Sequence, residues 1–282
     1  MRGMPRHKRW VLIANYCDKS FMKNITAFYL SECLGMDYTV RGQFVNLVLN
    51  GNYVGLYWLG EAIKVDSSRV NIDKENDFLL EIDKNYDELW KFHSGIKDFP
   101  YMVKNDDAMT EEKVLWLKNR IDQIESILYA GDFVDDSYAD YIDIHSFAQL
   151  YLVNEILYNR DFLDLRSCYV TLRHDTGILK AGPVWDFDNG GFNPDGTPLI
   201  EQNVLYYDAL FTIPAFTQKV NELATEISVS AVSQNIDEVK SYLAASAQLD
   251  GQRWNYNVFN AFVQNFKEDV TERISYIQNN PF

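Results

Sequence analysis

Basic residues are scarce in this chain. Its 282 residues carry 26 Lys and Arg against 41 Asp and Glu, giving a formal net charge of −15 and a pI near 4.6. A nucleic-acid footprint needs a basic face, so no nucleic-acid partner is expected. An anionic ligand would have to be met through bound cations or a local cluster of Lys and Arg. Cysteine is nearly absent: Cys17, Cys33 and Cys168 have no metal-type spacing, and an odd count leaves at least one unpaired. Buried thiols are the expected state of all three. Of the few histidines, His93, His145 and His174 sit in unrelated contexts, so neither a His-based metal set nor a Ser-His-Asp triad can be assembled. Long apolar runs are missing as well. No stretch reaches the roughly 18 apolar residues of a membrane span, and no repeat or low-complexity linker interrupts the sequence.

What is present is core-forming material, 47% hydrophobic and 15% aromatic, enough for one large domain or two closely packed lobes. The opening Met1 to Lys8 is basic but lacks an apolar h-region, so it is not a signal peptide. It runs directly into an apparent strand, Trp10 to Ala14, which suggests a start inside a larger domain. Asp18 or Ser20 is placed to cap a helix through about Leu34, ended by Gly35. Two strand-like runs, Phe44 to Leu49 and Tyr53 to Leu59, flank Asn50-Gly51-Asn52, a hairpin signal because Asn-Gly supplies the positive φ of a tight turn. Phe78 to Ile82 reads as a further strand, and Asp83 to Glu88 as a solvated loop. Helical patterning then takes over, from Thr110 to about Leu128 with Glu111 and Glu112 in its first turn, and from Ile144 to Tyr158, nearly apolar on every side. A strand pair, Ser167 to Leu172 and Ile178 to Lys180, follows; beyond Pro198 the chain reads as helices, including Thr217–Glu226, Val232–Leu249 and Asn257–Gln278. The expected class is α+β, with a β-rich first lobe over residues 1–105 and a mainly helical second lobe over 106–282.

The stretch Gly182-Pro183-Val184-Trp185-Asp186-Phe187-Asp188-Asn189-Gly190-Gly191-Phe192 stands out. It sets two carboxylates two residues apart, between a strand end and glycines that permit a sharp turn. On an extended backbone the two side chains would point to opposite faces, so they meet only if the backbone bends. Carboxylates in such a loop suit Mg²⁺, which takes one or two of them and leaves its other positions to phosphate and water. Taken alone, the motif reads first as an Asp-rich turn over a buried Trp and Phe. Its surroundings change that. Asp161 closes the apolar helix about 25 residues earlier, with the strand pair between. A core helix, an acid at its end, a hairpin and a second acid form the order used in phosphoryl transfer, where one carboxylate orients the acceptor hydroxyl and another holds metal on the phosphates. Neither a Gly-rich phosphate loop nor a Val-Ala-Ile-Lys motif accompanies them.

Several ordered segments together, Trp10 to Asn15, Phe44 to Gly51, Gly55 to Glu61, Asn159-Arg160-Asp161 and Trp185-Asp186-Phe187-Asp188, resemble the CotH kinase family, the spore coat protein H-like atypical protein kinases. The resemblance runs from about Trp10 to Trp254. It implies a divergent two-lobed kinase fold, ATP- and Mg²⁺-dependent phosphorylation of protein Ser residues, and a location outside the cytoplasm. By position, Asp161 is similar to the catalytic-loop Asp, Asp186 or Asp188 to the metal-binding Asp, Glu61 to a Glu after the second hairpin strand, and Asp18 to the Asp before the first helix. The chain departs from the family pattern with Lys23-Asn24 where Arg-Asn is usual, and with Leu165-Arg166-Ser167 where Asn residues often follow the catalytic Asp. A Lys- and Arg-bearing segment that the family places upstream of the first strand is replaced locally by Lys8 and Lys64. With Glu61, Lys64 and Arg166 as nucleotide contacts, Arg166 is alternatively a partner of Asp161 or Asp164. Two rivals share the same residues: a catalytically idle pseudokinase that binds an envelope protein, and a divalent-metal hydrolase. Scattered tryptophans, among them Trp58, Trp90, Trp116, Trp185 and Trp254, are assigned to core packing.

Overall fold

In the computed structural model, which describes residues 4–130, 136–189 and 203–282, the chain opens with β1 (Trp10–Ile13), α1 (Lys23–Cys33), β2 (Gly42–Leu49) and β3 (Asn52–Glu61). Three strands follow, β4 (Phe78–Ile82), β5 (Lys91–His93) and β6 (Pro100–Val103), then helices α2 (Glu111–Leu128), α3 (Ile144–Leu157) and α4 (Arg160–Leu163). The strands β7 (Cys168–Leu172) and β8 (Leu179–Ala181) precede four more helices, α5 (Tyr207–Leu210), α6 (Pro214–Glu226), α7 (Val229–Trp254) and α8 (Phe259–Asn279).

The class is α+β, with two antiparallel sheets among the described residues, ordered β1-β3-β2 and β5-β6-β4-β7-β8. Asn50 and Gly51 both take positive φ, 50° and 79°, and join β2 to β3 in the tight turn that the Asn-Gly pair predicts. In the second sheet β4 pairs with β6 on one side and with β7 on the other. Residue 105 therefore lies between strands of one sheet, which draws on both sides of the expected lobe division. β5 and β6 carry no strand signal of their own in the sequence. They are three and four residues long and are held by pairing rather than by propensity.

A helix that is apolar on every side can only be interior. In α3 every residue from Ser146 to Leu157 is buried, and the helix packs against α1, α6, α8 and β8. Its one deep charge, Glu155, pairs with the guanidinium of Arg273 from α8, whose Nε also donates to the Glu155 carbonyl at 3.2 Å. The first sheet reaches the middle of the molecule through Trp58 on β3. Its indole lies 5.2 Å from the Phe28 ring of α1, and Phe28 in turn stacks on Trp185 at 6.3 Å. Gly42 and Gly60 make room for that indole, since a Cβ on either would fall within 2.3 Å of the ring. On its other side β3 is tied to α7 by buried Asp250, which accepts the Leu56 N–H at 2.7 Å.

Three expectations need correction here. Cys17 and Cys33 are exposed, and only Cys168 is buried; all three are free thiols. Trp254 is 54% exposed rather than packed in the core. Asp83 is buried instead of solvated, because the Ser167 and Asn85 amides both donate to its carboxylate. Among the described residues no helix is long and apolar enough to cross a membrane.

Removing one partner of a buried ion pair strands the other charge. Glu155→Ala is expected to cost roughly 3–5 kcal/mol of unfolding free energy. The double change Glu155→Leu with Arg273→Met should cost far less, and urea unfolding of the two variants checks this.

Candidate functional site

The site is assembled from three segments far apart in sequence. The first is the end of α3. Tyr158 takes φ 50° and stops the helix, and Asn159 N–H returns to the Asn154 carbonyl at 3.1 Å. The chain then makes the single turn of α4, which sets Asp161 in its first turn. Leu165 and Ser167 also have positive φ, 51° and 52°. This bent segment is closed on itself by the Arg166 N–H, which donates to the Asp161 carbonyl at 3.0 Å, and pinned from outside by the Lys84 N–H on the Leu165 carbonyl at 3.1 Å and by buried Asp83, which accepts the Ser167 N–H at 2.9 Å. Strained φ values of this kind persist only where surrounding contacts over-determine them.

The second segment leaves β8 through Gly182, whose N–H bonds the Tyr169 carbonyl at 2.8 Å. Asp186 takes φ 65°. That is the backbone bend needed for two acids at alternate positions to share a side, and Asp186 and Asp188 lie close enough to share a hydrogen bond. Phe187, between them, is buried. Ser167 Oγ donates to Asp186 Oδ2 at 3.3 Å, and Asn189 Nδ2 donates to Asp161 Oδ1 at 3.0 Å. The acid after the helix and the acids after the hairpin thus converge. Gly190, Gly191 and Phe192, the rest of the motif, fall outside the described residues.

The third segment is the start of α1. Asn24 Oδ1 accepts the Phe187 N–H at 2.9 Å, and Lys23 Nζ donates to the Asp188 carbonyl at 3.0 Å. The sequence offered Asp18 or Ser20 as the cap of this helix. The helix begins later, at Lys23, and Asp18 still serves it from a distance: its Oδ2 accepts the Lys23 N–H at 2.9 Å. Ser20 instead donates to Asp18 Oδ1 through its N–H and hydroxyl.

Electrostatics follow from this crowding. Burial pushes the Asp186 carboxyl up to about 6, and the nearby charges of Asp188 and Asp161 add to the rise. Nine-tenths-buried Asp18 is likewise raised by loss of solvent, against the lowering effect of its hydrogen bonds. The donor set is all oxygen, which suits a hard divalent cation, and a cation would relieve the repulsion among the acids. Among the described residues no three His, Cys, Asp or Glu side chains close into a metal-sized group. The protein's share would be Asp186 and Asp188, the number of carboxylates with which Mg²⁺ ordinarily sits when phosphates complete its shell.

Glu61 and Lys64 have their partners and surroundings away from this cluster. Glu61, fully buried, is held by Arg41 through two hydrogen bonds of 2.9 and 3.0 Å, by the Tyr38 hydroxyl at 3.1 Å, and by Arg69 Nε at 3.8 Å. Its oxygens are occupied by protein donors, which is how a charge so deep is tolerated. Lys64 lines a basic cavity of about 500 Å³ with Arg6, His7, Lys8 and Arg9. Among the described residues no hydrogen bond or ion pair joins Glu61 or Lys64 to the three acids. Arg166 is exposed, and the side chains proposed as its partners are engaged elsewhere: Asp164 with Lys84 at 3.3 Å, Asp161 with Asn189. A cavity of about 940 Å³ between α7 and the turn into α8 has no acidic or basic side chain in its lining.

The profile of the CotH kinase protein family matches residues 1–281. The chain belongs to that family. No curated protein matches the sequence at a significant level. Family membership makes this a CotH-like kinase domain, and the convergent acids come from the segments Asn159-Arg160-Asp161 and Trp185-Asp186-Phe187-Asp188. Sequence reasoning missed Ser167, Asn24, Lys23 and Asp83 as members of the site. A signal existed for two of them, because Lys23-Asn24 occupies the start of the helix that the resemblance marks.

The raised Asp186 pKa fixes the sign of a pH effect. Between about 4 and 6 the folded state holds a proton that the unfolded chain releases, so stability falls as pH rises through that window. In metal-free buffer Asp186→Asn should remove this slope and stabilise the fold above pH 6 by roughly 2 kcal/mol. Urea midpoints from pH 4 to 8 for both proteins measure it.

Proposed function

We propose that this domain transfers the terminal phosphoryl group of ATP to Ser hydroxyls of a protein acceptor, with Mg²⁺ as the metal, in a two-lobed kinase-like arrangement. The observation that carries the reading is the meeting of Asp161 with Asp186 and Asp188 at the end of a buried helix. Asp161 is assigned to orient the acceptor hydroxyl and take its proton. Asn189 Nδ2 holds one oxygen of Asp161 at 3.0 Å and so fixes its direction. Asp186 and Asp188 are assigned to the metal, which when bound neutralises charge on the phosphates. Ser167 holds Asp186 in place from the segment that carries Asp161, so the two roles are mechanically linked. Phosphoryl transfer requires little covalent work from the protein; positioning and charge supply most of the acceleration.

The idle, protein-binding reading draws support from Glu61 and Lys64. Among the described residues neither bonds to the acid cluster, so no phosphate contact from the first sheet is recognised there. Incubation with γ-labelled ATP, Mg²⁺ and a Ser-bearing acceptor separates the two. Transfer of label is expected, and Asp161→Asn should lower its rate at least about 100-fold while ATP affinity changes little. Asp186→Ala should remove the Mg²⁺ dependence of ATP binding. Equal label transfer by Asp161→Asn would end the catalytic reading, and absence of ATP binding alongside retained partner binding would establish the idle one.

A further inference from the structure

We propose that Lys23 is the cation that meets the phosphate tail at the acid cluster, an inference that rests on the phosphotransferase reading above. Three acids and a polyphosphate are all anionic, and a divalent ion cannot balance them alone. The domain needs a fixed positive charge there. Among the basic residues that sequence reasoning offered, Lys64 and Lys8 share the basic cavity beside Arg9, and Arg166, although its backbone joins the segment that carries Asp161, has an exposed side chain. Lys84 is paired with Asp164, and Arg160 lies over the Tyr158 ring.

Lys23 is different because its ammonium is already at the loop. Nζ lies 3.0 Å from the Asp188 carbonyl, across 165 residues of sequence. The next residue, Asn24, grips the Phe187 N–H, so consecutive residues of α1 hold consecutive residues of the loop. That double attachment fixes where the ammonium head sits relative to Asp186 and Asp188. The helix end itself is not the attraction, since the carboxylate of Asp18 already accepts the Lys23 N–H. What α1 presents to the cluster is a side-chain charge. An ammonium is a compact charge with three donors, able to hold a carbonyl and a phosphate oxygen together. Packing of Phe28 between Trp58 and Trp185 keeps the helix in the register that this requires.

Isothermal titration with inorganic tripolyphosphate and with ATP, each in the presence of Mn²⁺, tests the assignment on the whole chain. Mn²⁺ affinity alone is followed by electron paramagnetic resonance. Lys23→Met should weaken both polyphosphate ligands about 10- to 100-fold, the loss of one charge-assisted contact. It should leave Mn²⁺ affinity within about threefold, and Lys23→Arg should restore polyphosphate binding to within about threefold of the parent. Unchanged polyphosphate binding in Lys23→Met overturns the proposal. So does a parallel loss of Mn²⁺, which would make Lys23 a structural pin, or a loss carried by Lys64→Met instead. If tripolyphosphate binding depends on Lys23 but ATP does not bind, the cation assignment stands and the nucleotide reading falls. If the parent chain binds neither, both fall.

Discussion

Like charges held at short range repel, and in a half-buried setting water screens them poorly. Asp161, Asp186 and Asp188 are kept in that unfavourable company by contacts from every quarter of the chain. Asn189 restrains the first, Ser167 restrains the second, and the first turn of α1 holds the backbone of the loop at Phe187 and Asp188. Behind these contacts stands α3, whose immersion gives Asp161 a fixed origin. The first sheet contributes through a relay of rings, Trp58 to Phe28 to Trp185, ending one residue before Asp186. Fold and site are therefore one problem here: the scaffold exists in a form that resists the separation of three acids.

Much of this was readable from residue order because the signals were local. The Asn50-Gly51 turn, the all-apolar α3 and the strand pair ahead of the Trp185 loop each depend on neighbours within a few positions. What escaped was every feature whose partner is remote. Asp83 looks like part of a charged loop until Ser167, 84 residues on, donates to it. Lys23 stands out in the sequence only as a departure from the family's Arg-Asn, until the chain returns 165 residues later. The strands β5 and β6 are too short to show a period, and take their structure from β4. Of the two capping candidates, Asp18 serves the helix and Ser20 does not, and the helix starts later than either suggests. The loop between Asp18 and α1 curls back, so that an acid five residues upstream supplies the acceptor that an adjacent residue would ordinarily give.

Glu61 shows how a residue prominent in the sequence can be held wholly by protein partners. At the end of β3, opposite Trp10, it ties the margin of the first sheet to Arg41 and Arg69. Arg69 in turn donates to the Arg9 and Ala62 carbonyls, so the segments on either side of the sheet converge on a single buried carboxylate. Removing a group of this kind would leave its buried partners unpaired, at a cost of several kcal/mol.

The second sheet has a consequence for biosynthesis. β4 lies at its centre, with Leu79 opposite Thr171 and Leu80 opposite Val170. While the ribosome is still translating the stretch between β6 and β7, one edge of β4 has no strand to join, and an open apolar edge is a template for wrong partners. In the folded chain it is the hairpin leading to the acids that closes this edge, so the same strands that position the loop also shield β4.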